Sequence, residues 1–424
     1  MHQPPKIEPV ALDNLALPVK TVMPNGVPLY RLEGNGKGVV RFDILLRGGY
    51  AVQDKPLQAM FTNRMLREGV EGMNAEQISQ RLDYYGAWID MFSSQGCNHL
   101  TLYTMSKHFL PLLQVLEAML KRPLFPQENL DTVRRNSRSH FIVNSRKVDI
   151  VSQRYFENSL WGAAHPMGHI VEAGDYDAIT RDDLFDYHRR YYNSGNCTLF
   201  LTGDADDAIM DGVAKAFGNE HWGSGDALST VEVSAPETDF TPRSIEVSDS
   251  MQSAVKIGFM ALDSAHPDFF RFRFITVLLG GYFGSRLMSN VREENGYTYH
   301  IDAEIDAYGS RNAFMISSEC DGKYVAPLMA EVYKEIDRLV CEPLPAQEVE
   351  LVRNYILGEL TREYEGQFAK AEVFINAFLS GESFASVNDY LQVVRTVTPA
   401  ELEDVARRYL KRDRMIEIIA GSNA

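Results

Sequence analysis

The chain repeats itself. Residues 179–191 read ITRDDLFDYHRRY and residues 397–409 read VTPAELEDVARRY, an offset of 218 residues. Each stretch opens with a β-branched residue and a threonine, continues with acidic residues and ends in Arg-Arg-Tyr. That is the signature of a helix with a Thr N-cap, anions near its positive N-terminus and cations near its negative C-terminus. Each predicted helix leads to a short apolar run and a glycine, TLFLTGD in the first case and MIEIIAGS in the second. A second pair keeps the same order. LFPQENLDTVRRN (124–136) and PLPAQEVELVRNY (343–355) each set Pro and Gln-Glu before a helix carrying Val-Arg, with Val133 and Val352 lying 219 apart. A chain with two such pairs is expected to fold as two homologous halves, about 20–215 and 245–424.

Length agrees, because 424 residues exceed what one hydrophobic core organises. Hydrophobic residues at 45% and charged residues at 24% supply ordinary globular cores and exclude a disordered or fibrous chain. The stretch NEHWGSGDALSTVEVSAPETDFTPRS, rich in Gly, Ser, Thr and Pro, reads as a linker, giving domains at 1–215 and 245–424 with 216–244 between.

Within the first half, Asn25-Gly26 in VMPNGVPLYRL marks a hairpin turn, and strands follow at GVVRFDILLRG and NHLTLYTM. Helical spacing is expected over about 56–68, 75–84, 107–121 and 127–145. The second half repeats the mixture. SAVKIGFMA, TYHIDAEID and NAFMISSEC read as strands, and helices are expected from about 267, 324, 346 and 399. The fold class is α+β, each half a largely antiparallel sheet covered by helices.

A net charge of -16, spread along the chain, repels phosphate backbones and argues against nucleic acid as a partner. Where such acid lines a cavity it favours basic peptides. Cys97, Cys197, Cys320 and Cys341 form no CxxC pair and read as free thiols of a reducing compartment. No apolar run is long enough for a membrane span, and no membrane partner is expected. MHQPPKIEPV lacks the apolar core of a secretion signal, so a cytoplasmic location is expected, or a periplasmic one if a signal has been removed.

Two stretches carry the chemistry. In LQAMFTNRMLREG, residues 57–69, Met60 and Arg64 lie one helical turn apart with Asn63 between them. Leu57, Met60, Phe61 and Met65 also describe a plain core-facing helix. In LLGGYFGSRLMSNVREENGYTYHID, residues 278–302, glycines at 280, 281 and 284 precede Ser285, a helix N-cap candidate. Arg292 then falls on that helix, and Tyr299 on the strand after Gly296. A guanidinium and a phenol converging on one carbonyl oxygen would stabilise an oxyanion. Tyr297 is the rival phenol.

With the paired halves and the PNG hairpin, these stretches resemble the pitrilysin/insulinase family of zinc peptidases over nearly the whole chain. The resemblance implies the two-half α+β fold of the LuxS/mitochondrial-processing-peptidase type. The family's H-x-x-E-H motif lies on a helix, its histidines binding zinc and its glutamate activating water. Here Ala59, Phe61, Met65, Leu66 and Gly69 keep the frame, while Met60 and Arg64 stand at the histidine positions and Asn63 at the glutamate. Counting onward, the third ligand falls near His140, 76 positions after Arg64. A thioether, an amide and a permanent cation cannot replace two imidazoles and a carboxylate, so no zinc and no activity alone are expected.

The same resemblance assigns Arg292 and Tyr299 to holding the peptide backbone at a zinc site. Loss of the zinc groups with retention of Arg292 and Tyr299 implies the non-catalytic subunit of a heterodimeric peptidase. Its partner would be an H-x-x-E-H zinc chain, and its ligands peptides. The alternative is a scaffold or peptide-binding core subunit outside proteolysis, with a homodimer as its form in isolation. An independent metal site on His140, or on His165 and His169 in AAHPMGHIVE, would predict bound metal; Pro166 and Gly168 favour a loop there.

Overall fold

Strands form where β-branched and aromatic residues alternate, and these runs build two separate sheets. The computed structural model describes residues 12–228, 237–309 and 311–422; the centre of the expected linker, 229–236, lies outside them. The chain divides into two units. The first holds Leu17–Arg146 and Glu157–Asp239. The second holds Phe240–Ala424 with Lys147–Phe156 and the described residues up to Ala16.

In the first unit, strands β1 (Val19–Val22), β2 (Pro28–Glu33) and β3 (Val39–Arg47) precede helix α1 (Gln58–Met65). A small hairpin, β4 (Gly69–Val70) with β5 (Met73–Asn74), leads into α2 (Ala75–Tyr85). Strands β6 (Trp88–Ser93) and β7 (Cys97–Met105) precede α3 (Phe109–Lys121), α4 (Gln127–Asn144) and α5 (Val148–Trp161), of which residues up to Phe156 belong to the second unit. Then come α6 (Ala173–Ala178), α7 (Arg181–Tyr191), β8 (Cys197–Gly203) and α8 (Asp207–Val213).

The second unit runs β9 (Arg243–Glu246), β10 (Ser253–Met260), α9 (Phe269–Gly280), β11 (Thr298–Tyr308) and β12 (Arg311–Cys320). Helices α10 (Val325–Cys341), α11 (Ala346–Glu363), α12 (Gln367–Leu379), α13 (Ala385–Thr396) and α14 (Pro399–Tyr409) follow, and β13 (Ile416–Gly421) closes the chain.

The sheets share one topology. The first is ordered β1-β2-β8-β3-β7-β6 and the second β11-β12-β10-β13-β9. Read outward from the parallel pair, β2-β8-β3-β7-β6 matches β9-β13-β10-β12-β11. Among the described residues only β2 with β8 and β9 with β13 run parallel, and every other neighbour in these two sheets is antiparallel. The helices recognised by their repeat occupy matching places, α4 with α11 and α7 with α14. Thr180 and Thr398 cap α7 and α14 as capping boxes, with Asp183 and Glu401 completing them.

Alternation along β3 and β7 sends Phe42, Ile44, Leu100 and Leu102 into the helix-covered core of the first unit, all fully buried. Each such side chain contributes roughly 1.5–3 kcal/mol on burial. The second unit buries Ile257, Phe314 and Phe272 in the same way.

Two boundaries differ from the sequence reading. Phe217 and Trp222, at the start of the expected linker, are buried in the first unit's core, and the Trp222 indole donates to Phe217 O at 3.3 Å. Large apolar side chains outweigh a Gly/Ser-rich context there. Residues 147–156 belong to the second unit, where Val148 and Val151 pack with Val247, Ala254 and Ala420. Leu15 is also held there, exchanging hydrogen bonds with the Asn388 side chain. The Asn25-Gly26 turn is present, with Gly26 at φ 87° and the Asn25 amide donating to Phe217 O and Glu220 O at 2.8 Å.

Candidate functional site

Helix α1 begins at Leu57, whose φ of 69° lies in the left-handed region. The Leu57 side chain cannot cap the helix, and Gln53 does so instead, its Oε1 accepting from Ala59 N at 3.3 Å; Gln58 Oε1 accepts from Asp54 N and ties the preceding loop to the helix. The helix is thereby fixed with Ala59, Phe61 and Met65 in the core.

The three positions that resemble a lost zinc site have separate structural occupations. Met60 packs half-buried against the core. Asn63 is 1% exposed, and its amide donates to Phe92 O at 2.8 Å and lies 3.4 Å from His99 O. Its Oδ1 accepts from Tyr192 Oη at 3.1 Å. The amide thus ties α1 to β6, β7 and the end of α7, a task no carboxylate could perform against two carbonyl oxygens.

Arg64 is exposed and donates to Ser137 Oγ on α4 at 3.0 Å. His140, the counted third position, lies one turn further along α4 and is exposed. The structure therefore sets Ser137, rather than His140, against Arg64. These residues do not fit zinc. Among the described residues no three His, Cys, Asp or Glu side chains gather as metal ligands.

The other histidine candidates are also accounted for. His165 Nδ1 accepts from Met167 N at 3.0 Å and its ring stacks on Trp161, while His169 pairs with Asp175 at 3.0 Å. Both sit in the turn-rich loop that Pro166 and Gly168 imply. The described cysteines are unbonded; Cys97, Cys197 and Cys320 are buried and Cys341 is exposed. Burial pushes the Cys97 thiol up to about 12, so it is inert.

One buried cluster went unread in the sequence. Asp43 accepts from Arg41 in a bidentate pair, from Thr101 Oγ1 at 2.8 Å, and meets His99 Nε2 at 3.0 Å. Burial works to raise the Asp43 carboxyl, but the His99 and Arg41 hydrogen bonds outweigh it and hold the group below its ordinary range. Asp43 and His99 are 0% and 1% exposed, so Thr101 is no accessible nucleophile and the cluster is structural.

The glycine-rich stretch builds the second candidate. At Gly280 an added Cβ would lie 2.5 Å from Ala303 N, so glycine lets the end of α9 close on β11. Residues Met288–Glu294 then form a wide π-type turn that carries Arg292. Two carboxylate anchors fix it. Arg286 is bidentate to Glu348 at 2.7 and 2.8 Å, and the Asn290 amide donates to Glu331 at 2.9 Å and Glu335 at 2.6 Å. Ser285 does not cap this segment: among the described residues its Oγ is buried without a hydrogen-bond partner, and the carboxylate anchors hold the segment through side chains instead. Gly296, at φ 65°, then turns the chain into β11.

Arg292 and Tyr299 line one concavity of about 1040 Å³, together with Met251, Phe283, Tyr297 and Tyr324. The Arg292 guanidinium lies 4.6 Å from the Phe283 ring centroid, and no carboxylate pairs with it among the described residues. Tyr299 is 88% exposed, whereas the Tyr297 ring stacks on Tyr324 at 5.3 Å. Both phenols face the concavity, and Tyr299 is the less constrained. Phe283 was not singled out in the sequence, although its place beside three glycines was visible. Exposed Met251, Phe283 and Tyr299 form an apolar rim around an unpaired cation, a surface suited to a bound chain.

The chain resembles known proteins over most of its length. A family model described as the peptidase M16 inactive domain matches residues 178–356. The uncharacterized zinc protease YmxG of Bacillus subtilis is 19% identical over 366 residues, 85% of this chain and 88% of that protein. The non-peptidase homolog YmxG of Helicobacter pylori is 20% identical over 375 residues, 86% of this chain and 85% of that protein. Among solved structures, a peptidase M16 inactive domain from Pseudomonas fluorescens shares the fold at a TM-score of 0.87 and 21% identity, over 96% of this chain and 98% of that one.

Proposed function

We propose that the chain is a non-catalytic member of the M16 peptidase family and the zinc-free companion of an H-x-x-E-H chain. In this reading the two chains enclose a peptide, the partner supplies the zinc site, and this chain supplies Arg292 and Tyr299. The observation that carries it is Arg292: a cation anchored through Arg286 and Asn290, stacked on Phe283, without a carboxylate partner among the described residues and beside an exposed phenol. Such a pair is set to donate hydrogen bonds to a peptide carbonyl as negative charge develops on its oxygen.

The chain alone lacks a general base, because the position that would hold it is the structural amide of Asn63. Arg292→Ala and Tyr299→Phe are the tests, made in the complex with its H-x-x-E-H partner. Each should lower kcat by about a hundredfold while leaving assembly intact. Unchanged rates in both variants would remove the two residues from the account.

A further inference from the structure

Helix α12 has two kinds of face. Ala371, Phe374 and Ile375 are fully buried in the second unit. Ala369, Val373, Asn376 and Ser380 follow helical spacing along another side and line a recess of about 680 Å³. Helix α9 and the glycine after it supply a second wall at the same spacing, with Phe270, Arg273, Val277 and Gly281. Small side chains at Ala303, Ala307, Ala369 and Ala377 leave the space open. Its volume and largely apolar lining are those of a site for a small organic molecule.

Three hydrogen-bond donors in this lining lack an acceptor. Tyr364, just after α11, and Tyr390, on α13, are 6% and 4% exposed. Among the described residues neither hydroxyl has a hydrogen-bond partner, and neither is sealed in the interior. Burial raises the Tyr364 phenol to about 12 and lifts Tyr390 as well, so both stay O–H donors at neutral pH. The Arg273 guanidinium lies 4.3 Å from the Tyr390 ring centroid, and the Phe270 ring packs on that same tyrosine at 5.4 Å. A guanidinium stacked through its face keeps its N–H edge for hydrogen bonds, and among the described residues no carboxylate pairs with this one. Two phenols and a cation without acceptors call for an oxyanion. Glu304, Glu363 and Glu372 line the same recess, so a doubly charged phosphate is disfavoured and a single carboxylate fits better.

We propose that this recess binds an aliphatic monocarboxylate of the fatty-acid class. Its carboxylate accepts hydrogen bonds from the Tyr364 and Tyr390 hydroxyls and from Arg273, and its hydrocarbon chain lies against Val277, Ile305, Leu360 and Val373. The hydrocarbon supplies apolar burial, and the carboxylate gives the three donors the acceptor they lack. All of these residues belong to the second unit, and the site does not depend on the proposed peptidase partnership.

The test is isothermal titration calorimetry on the full chain alone, below the micellar concentration of each probe. Dodecanoate is compared with dodecylamine, dodecan-1-ol and dodecyl phosphate, which share its hydrocarbon chain and differ in the head. Dodecanoate should bind at a single saturable site, and the other three at least about tenfold more weakly. Arg273→Gln removes an exposed cation and Tyr364→Phe a single hydroxyl, so both variants should keep the fold, checked by circular dichroism. Each should weaken dodecanoate binding by roughly tenfold. Absence of saturable dodecanoate binding, equal or tighter binding of the amine, the alcohol or the phosphate, or unchanged affinity in either folded variant would overturn the proposal.

Discussion

Asn63 bears on the proposed loss of peptidase chemistry through its contacts as much as through its inability to accept a proton. Its amide donates to Phe92 O and accepts from Tyr192, so the general-base position has become part of the core. Rebuilding the motif as Met60→His, Asn63→Glu and Arg64→His should therefore fail. The carboxylate would keep the Tyr192 hydroxyl as its one donor but would face the Phe92 and His99 carbonyl oxygens, at a cost of roughly 2–3 kcal/mol. Calorimetry should show a lower Tm and metal analysis no stoichiometric zinc. A stable variant holding one zinc and cleaving peptides would contradict this.

The change of residue types at these positions was legible in the sequence, but their new partners were not. Counting pointed to His140, whereas Arg64 reaches Ser137, because spacing along a chain does not fix which side of α4 faces α1. A titrating residue was equally hidden. Burial lowers His188 to about 4, although it keeps a 2.8 Å hydrogen bond to Leu120 O. Between about 4 and 6.5 the unfolded chain then binds more protons than the folded one, so stability is full above that window and falls as pH drops through it. His188→Gln should flatten the Tm profile between pH 6.5 and 4, and parallel profiles for variant and wild type would contradict the assignment.

At the scale of elements, α7 and α14 were the most legible, because caps and end charges are local chemistry. Their capping boxes give a matched pair of tests. Thr180→Ala and Thr398→Ala should each cost about 1 kcal/mol, read by denaturant unfolding. A negligible effect at either position would show that the repeat is in sequence alone. The strands were legible too, through alternation and β-branched content. The wide turn carrying Arg292 was not, since it depends on Glu348 and Glu335 reaching back from α11 and α10. The β11 edge shows a different gap. HIDAEID displays its acidic alternation openly, but only the sheet order reveals that the strand lies at an edge.

For the whole molecule, the repeat in sequence became a repeat in strand order, and it was the firmest expectation drawn. What the sequence hid was that residues 147–156 and Leu15 pack with the second unit, because those contacts join segments far apart in the chain. The absent zinc groups and the anchored Arg292 are the two observations on which the proposed partnership rests.

The most direct measurement is the peptidase rate of the proposed H-x-x-E-H partner, purified from the native cell, with and without this chain. The account predicts little cleavage by either chain alone, full cleavage by the mixture, and a loss of about a hundredfold when the added chain carries Arg292→Ala. A partner that cleaves peptides equally fast alone would contradict it.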